Sequence, residues 1–263
     1  MSAPVSSFPS PALGWLTDLD LSPAGQLSTL AKRSSVLVVG QHSAAPATTL
    51  HQHRVRLTVI DSTREGVGRM LKHTPSAIPV TAAASSLPFV PCSFDTVLIA
   101  QGLHLLDPEP ALAEFARVLR PGGHVAICYT TRDDSVPWVR RLIALLREVD
   151  SSAMAGAYGS ESVAALASNP YFPHVERRSF RQWVPVDEHQ LVAMVARTPL
   201  AKRLDRADNE RLLEGVRDLY LASARSPEPL LLPYQVLCWR GWVDHSELSA
   251  ALHPPDHGLQ ITL

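Results

Sequence analysis

The sequence predicts an α/β protein, a doubly wound sheet of mostly parallel strands with helices on both faces. Three observations carry this. Short, continuous apolar and β-branched runs recur at 36–39, 57–60 and 96–100, the pattern of strands covered on both sides. Segments with apolar residues at helical spacing lie between or after them, clearest at 109–119 and 136–149. Finally, Gly122-Gly123 separates a helix from the apolar run 124–129, where a sharp reversal needs positive φ. Alternation of this kind over about 130 residues builds a parallel sheet with crossover helices.

Each element has its own justification. Residues 1–12 are rich in Ser, Pro and Ala with nothing to bury, and Leu13, Leu16, Leu19, Leu27 and Leu30 suggest short helical segments around Ser22-Pro23. The run Val36-Leu37-Val38-Val39 ends in Gly40, and Leu57-Thr58-Val59-Ile60 stops at Asp61. A helix follows over 62–73, then a β-like stretch at 78–81 and the strand 96–100. In the helix 109–119 the apolar positions are 111, 112, 115, 116, 118 and 119. The helix 136–149 sets Trp138, Val139, Leu142, Ile143, Leu145 and Leu146 against Arg140, Arg141, Arg147 and Glu148. Beyond it the pattern loosens into a helix at 161–167, a strand at 175–184, helices at 187–197 and 209–224, and a final strand at 230–242. The division expected is a lead-in (1–33), one domain (34–242) with a helical insertion at 187–224, and a tail (243–263).

Composition excludes several classes of partner. Twenty-four basic and 25 acidic side chains give a net charge of −1, and the basic residues come singly or in pairs, so no footprint for nucleic acid exists. No run approaches the roughly 18 apolar residues of a membrane span, and the first residues lack a charged and apolar leader, which predicts a cytoplasmic protein. Cys92, Cys128 and Cys238 are far apart and never in a C-x-x-C pair; they are expected to be reduced, packed thiols. His51 and His53 have no Cys or carboxylate at ligand spacing, so they read as surface or helix-flank residues and no metal site is expected.

Two groups of residues carry the functional reading. Gly40 and Asp61 end successive strands at about the spacing of a glycine turn and a ribose-binding acid, although Asp61 also suits the N-cap of the helix after it. Gln101 and His104 lie just past the carboxyl end of the strand 96–100, where ligands sit in open α/β sheets. His104 is either a general base, since imidazole exchanges protons near neutral pH, or a histidine packed beside Leu103 and Leu105. Trp138, Trp183, Trp239 and Trp242 either line a cavity or pack the core and its rim.

The stretch Leu87-Pro88-Phe89, Ser93-Phe94-Asp95-Thr96-Val97, Ala100-Gln101-Gly102-Leu103-His104-Leu105-Leu106-Asp107 and Ala116-Arg117-Val118-Leu119-Arg120-Pro121-Gly122-Gly123 resembles the class I S-adenosylmethionine-dependent methyltransferases that act on small molecules. Leu232-Pro233-Tyr234-Gln235-Val236-Leu237-Cys238-Trp239-Arg240 is similar to that family's last strand. The resemblance spans about 34–242 and implies a Rossmann-like seven-stranded sheet with an antiparallel last strand, a helical lid at 187–224, and S-adenosylmethionine as cofactor. It also implies in-line methyl transfer to a small-molecule acceptor, with Gly40, Asp61, Ser85 and Gln101 at the cofactor and His104 as the base. The chain departs from the family's V-L-D-x-G-x-G-x-G loop: Val38 replaces the acid, His42 and Ala44 replace glycines, and Ser85 stands where an acid usually meets the adenine. A Cβ at 42 or 44 obstructs close backbone approach, and His42 is either an incidental loop residue or a plug in the cavity. The alternative is therefore a methyltransferase-like protein that has lost its cofactor and binds a protein partner.

Overall fold

Ser35–Val39 forms β1, and all five residues are buried, leaving the strand no polar face to turn to water. Such a strand belongs inside a sheet. In the computed structural model, which describes residues 8–21, 34–53, 55–149, 160–225 and 229–246, β1 lies between β2 (Arg56–Asp61) and β4 (Phe94–Ala100), parallel to both. β3 (Ile78–Thr81) pairs in parallel outside β2, and β5 (Leu119–Arg132) pairs in parallel outside β4. With β6 (His174–Val186) and β7 (Leu230–Trp242) the sheet is mixed and seven-stranded, in the order β3-β2-β1-β4-β5-β7-β6. The expected parallel strands and the burial of Leu37, Val39, Val59, Leu98 and Ile127 are all present.

Helix boundaries follow local chemistry. α1 (Ser10–Thr17) buries Ala12, Leu13 and Leu16, and Phe8 before it is also buried, which corrects the expectation that the first twelve residues bury nothing. The Leu27 and Leu30 segment lies outside the described residues. α2 (Ala44–Gln52) was not foreseen in a stretch of Pro and Thr; Pro46 fits because it stands in the first turn, where a missing N–H costs no bond. α3 (Arg64–Leu71) starts after Thr63, whose hydroxyl accepts the Gly66 N–H at 3.0 Å. α4 (Pro108–Val118) has Pro at N1 and buries Ala111, Leu112, Phe115, Ala116 and Val118. α5 (Pro137–Val149) and α6 (Ser160–Ala167) fall where expected. α7 (Glu188–Ala196) opens on a capping box of Asp187 and Gln190. An unforeseen short α8 (Pro199–Arg203) is capped by Thr198, and α9 (Arg206–Ser223) begins earlier than expected because the Asp205 carboxylate accepts the Asp208 N–H at 2.8 Å.

The described residues make two compact units, one drawn from Met1–Tyr129, Gly159–Ser179 and Leu237–Leu263, the other from Thr130–Tyr158 and Phe180–Val236. The core of the first gathers Leu37, Ile60, Ile99, Phe115, Ile127 and Phe172, among others. The second packs Leu142 and Leu146 of α5 with Leu191 of α7 and Leu212 and Val216 of α9.

Within the first unit, the signature segment 87–123 ties backbone to backbone. Arg117 donates to the carbonyls of Phe89 (2.7 Å) and Leu87 (2.9 Å) and to both carboxylate oxygens of Glu114, of which Oε2 also accepts the Leu87 N–H at 2.6 Å. The Arg117 guanidinium holds the Glu114 carboxyl below its usual range against the opposing effect of burial. Asp95 Oδ2 accepts the Ser35 N–H (2.8 Å) and Arg120 (2.7 Å), linking β1, β4 and β5. Gly122 has φ +78°, and a Cβ on Gly123 would stand 2.9 Å from the Arg120 and Asp95 carbonyl oxygens. Both glycines serve a bulge, at which the pairing jumps from Phe94↔Leu119 to Thr96↔His124.

Candidate functional site

At the carboxyl ends of β1, β2 and β4 lies a cavity of about 220 Å³. Its lining includes Gly40, His42, Asp61, Thr63, Ala84 and Gly102. Gly40 leaves β1 at φ +77°, its N–H donates to the Ile60 carbonyl at 2.8 Å, and no atom lies within 4 Å of where a Cβ would stand. The chain then makes a tight three-residue turn, Gln41–Ser43, and enters α2. His42 is exposed, which corrects the idea of a plug: it stands at the rim. Ser43 is fully buried; its hydroxyl donates to the Val39 carbonyl (2.7 Å) and accepts the Ala100 N–H (2.8 Å), pinning the turn to the ends of β1 and β4. Val38 is wholly buried within the sheet, opposite Val59 and Leu98.

Asp61 is held by its own chain. Oδ2 accepts the Gln41 N–H at 3.0 Å, and Oδ1 accepts the Thr63 N–H at 2.9 Å and the Thr63 hydroxyl at 2.7 Å. The helix cap is Thr63, so the N-cap reading of Asp61 is corrected: it braces the cap and the glycine turn together. Gly66 makes room for it, since a Cβ there would lie 2.2 Å from the Asp61 carboxyl carbon.

The remaining expected residues, Ser85, Gln101 and His104, do not line this cavity. Ser85 is exposed and outside the lining, which takes Ala82 and Ala84 from that segment instead. Gln101 is half-buried with φ +55°, a left-handed conformation costly for a side chain with a Cβ, and its N–H donates to the Cys128 carbonyl at 2.9 Å. Gly102, Leu105 and Leu106 of the turn after β4 form one wall. His104, in the same turn, is exposed, with Nδ1 3.5 Å from the Tyr129 hydroxyl. Ser43, Thr63, Gly66 and Tyr129 went unforeseen. Only the Asp61-Ser62-Thr63 string carried a signal, because Asp readily hydrogen-bonds the amide two residues on.

Other candidates lie elsewhere. Cys128 and Cys238 are buried, and burial raises both thiols, Cys238 to about 12; Cys92 is exposed, which corrects the expectation for that residue. His51 Nδ1 lies 3.1 Å from the Ser76 hydroxyl. Among the described residues no group of three or more His, Cys, Asp or Glu is arranged to hold a metal, and no helix is long and apolar enough to cross a membrane.

A seven-stranded mixed sheet with a glycine turn and a carboxylate at adjacent strand ends is the architecture of class I S-adenosylmethionine-dependent methyltransferases, and residues 37–127 of this chain match the family described as a methyltransferase domain. The chain shares that fold. It is 32% identical over 136 residues to an uncharacterised methyltransferase of Mycobacterium tuberculosis, covering 52% of this chain and 51% of the relative. To a demethylmenaquinone methyltransferase of Streptomyces avermitilis it is 35% identical over 115 residues, 40% of this chain and 50% of the relative. The chain thus spans about half the length of these curated relatives. A solved structure from Anaeromyxobacter dehalogenans shares the fold at TM-score 0.61 and 19% identity, over 90% of this chain and 97% of that one.

Proposed function

We propose that this chain binds S-adenosylmethionine in the cavity between Gly40 and Asp61 and passes its methyl group to a small-molecule acceptor. The observation that carries the reading is a positive-φ glycine and a carboxylate meeting on one cavity at the carboxyl ends of adjacent parallel strands. The residues fit such a ligand. The open space beside Gly40 admits close approach to the backbone. A carboxylate has about four acceptor sites; three on Asp61 are occupied, and the fourth, on Oδ2, remains for a ribose hydroxyl. Ile60, Ala82, Ala84 and Ile99 offer apolar walls to a base. The cavity is smaller than the roughly 300 to 1,000 Å³ of complete ligand sites, so the nucleoside occupies it and the rest of the cofactor extends over the rim of His42 and Leu105, both exposed.

When bound, the cofactor supplies an electrophilic methyl group on a sulfonium. The protein's part is then to align donor and acceptor, which needs proximity and orientation more than acid–base chemistry. In this reading Gly40 and Asp61 hold the adenosyl half, and Gln101 and His104 lie on the acceptor side.

A second reading, a methyltransferase-like binding or scaffold protein without cofactor, is favoured by the three internal hydrogen bonds of Asp61, which leave the loop self-supporting. Calorimetry with S-adenosylmethionine and S-adenosylhomocysteine, using ATP as a control nucleotide, separates the two. The first reading predicts saturable heat with both sulfur compounds and less with ATP. No heat from the folded protein favours the second.

A further inference from the structure

Tyr129, in β5, is 1% exposed, too deep for its hydroxyl to be satisfied by bulk water, so the phenol must find protein partners. It finds them in the turn after β4 and in α6. The hydroxyl lies 3.5 Å from His104 Nδ1, and the two rings stand 5.9 Å apart at 41°. The backbone N–H groups of His104 and Leu103 and the Ser162 hydroxyl also bear on the phenol oxygen, while Trp239 closes edge-on at 6.2 Å. A backbone N–H only donates, so these groups take the acceptor side of that oxygen and the phenol's own proton must go to an acceptor. Burial raises the phenol above its ordinary value of 10.0, so it keeps that proton at neutral pH. Of the acceptors in reach, an imidazole nitrogen is a stronger base than the Ser162 hydroxyl.

We propose that Tyr129 is a positioning residue whose O–H donates to His104 Nδ1, anchoring the turn 102–106 and fixing the neutral imidazole with its proton on Nε2. The turn is the one that supplies Gly102, Leu105 and Leu106 to the cavity wall, so a buried hydroxyl on β5 sets the shape of a site that Tyr129 itself does not line. The consequence for chemistry rests on the methyl-transfer reading given above. With Nδ1 committed as an acceptor, whatever meets Nε2 meets a donor. His104 then orients an oxygen of the methyl acceptor and does not remove its proton, which points to acceptors that arrive already nucleophilic, such as a carboxylate or a phenolate.

The test uses the ligand-free full chain labelled with nitrogen-15, in a spectrum correlating imidazole carbon-bound protons with ring nitrogens at a pH where the imidazole is neutral. Loss of one set of signals in His104→Gln assigns His104. The expected wild-type spectrum shows Nδ1 as unprotonated and hydrogen-bonded and Nε2 as protonated, in a single tautomer; Tyr129→Phe turns this into a tautomer average. A protonated Nδ1 in the wild type overturns the proposal, as does a folded Tyr129→Phe protein whose His104 signals match the wild type. Should that variant fail to fold, the wild-type spectrum alone decides. No cofactor is present, so this outcome is independent of calorimetric binding.

Discussion

The segment 87–123 and the loop 40–44 belong to the same unit and answer to opposite demands. In the first, Glu114, Arg117, Asp95 and Arg120 spend their hydrogen bonds on the backbone of Leu87, Phe89 and Ser35 or on one another, and Gly122 and Gly123 serve a bulge. These are scaffold residues, and their geometry leaves little room for substitution. In the loop, only Gly40 keeps an unusual backbone; the Ser43 hydroxyl pins the turn with two hydrogen bonds, and His42 is exposed. The residues that make the fold recognisable are thus those that hold strands and turns together, while the loop is anchored by one buried hydroxyl.

Substitutions can break or sharpen that contrast. Val38→Asp, the change that would restore the usual acid, is expected to be the most damaging: the side chain lies inside the sheet, with apolar Val59 and Leu98 on the flanking strands. An unpaired buried charge costs about 3 to 5 kcal/mol, visible as a large fall in the urea midpoint. His42→Gly at the rim should leave the stability within about 0.5 kcal/mol of the wild type.

Arg117→Ala removes the bonds to Leu87, Phe89 and Glu114. We expect a loss of about 1 to 3 kcal/mol and faster hydrogen exchange at the Leu87 amide, whose acceptor Glu114 is no longer held. Exchange at Leu87 equal to the wild type would mean Glu114 holds that segment unaided.

Two glycines on α3 give a finer comparison. Gly66→Ala should cost about 1 to 3 kcal/mol by overpacking and weaken any adenosyl ligand, because the new methyl displaces the Asp61 carboxylate. Gly68→Ala, where nothing lies within 4 Å of the new methyl, should stabilise the helix by about 0.5 to 1 kcal/mol. Equal effects on ligand affinity would dissociate Gly66 from the site.

The smallest expected effect is a pH dependence. The folded value of the Glu114 carboxyl is lowered by Arg117 from the ordinary 4.5, so the unfolded chain takes up the proton first. Its stabilising contribution is complete above the unfolded value and is lost as pH falls through the folded one. Glu114→Gln should therefore flatten the acid side of the stability curve; an unchanged slope would assign it to other carboxylates.

The fold was legible because burial writes itself into periodicity: Val36–Val39 and the apolar positions of 109–119 could be read directly. Helix starts were less so where a single cap decided them, as at Asp205 and Thr198. The site was only half legible. Gly40 and Asp61 line the cavity, but Ser85 is exposed and outside the lining, where Ala84 forms the wall, and Gln101 and His104 do not line it either. One residue of register along an irregular segment has no periodic signal. Ser43 and Tyr129 were hidden for a related reason, since their partners lie 57 and 25 residues away and only the folded sheet brings them together.

The central claim is that Gly40 and Asp61 form an adenosyl-binding site despite the altered loop. Titrating S-adenosylhomocysteine into the wild type and into Asp61→Ala, with folding of both checked by circular dichroism, tests it most directly. The account predicts saturable wild-type binding and an affinity about ten- to a hundredfold lower in the variant, the equivalent of one charge-assisted hydrogen bond. No heat from the folded wild type, or equal affinity in both proteins, would contradict it.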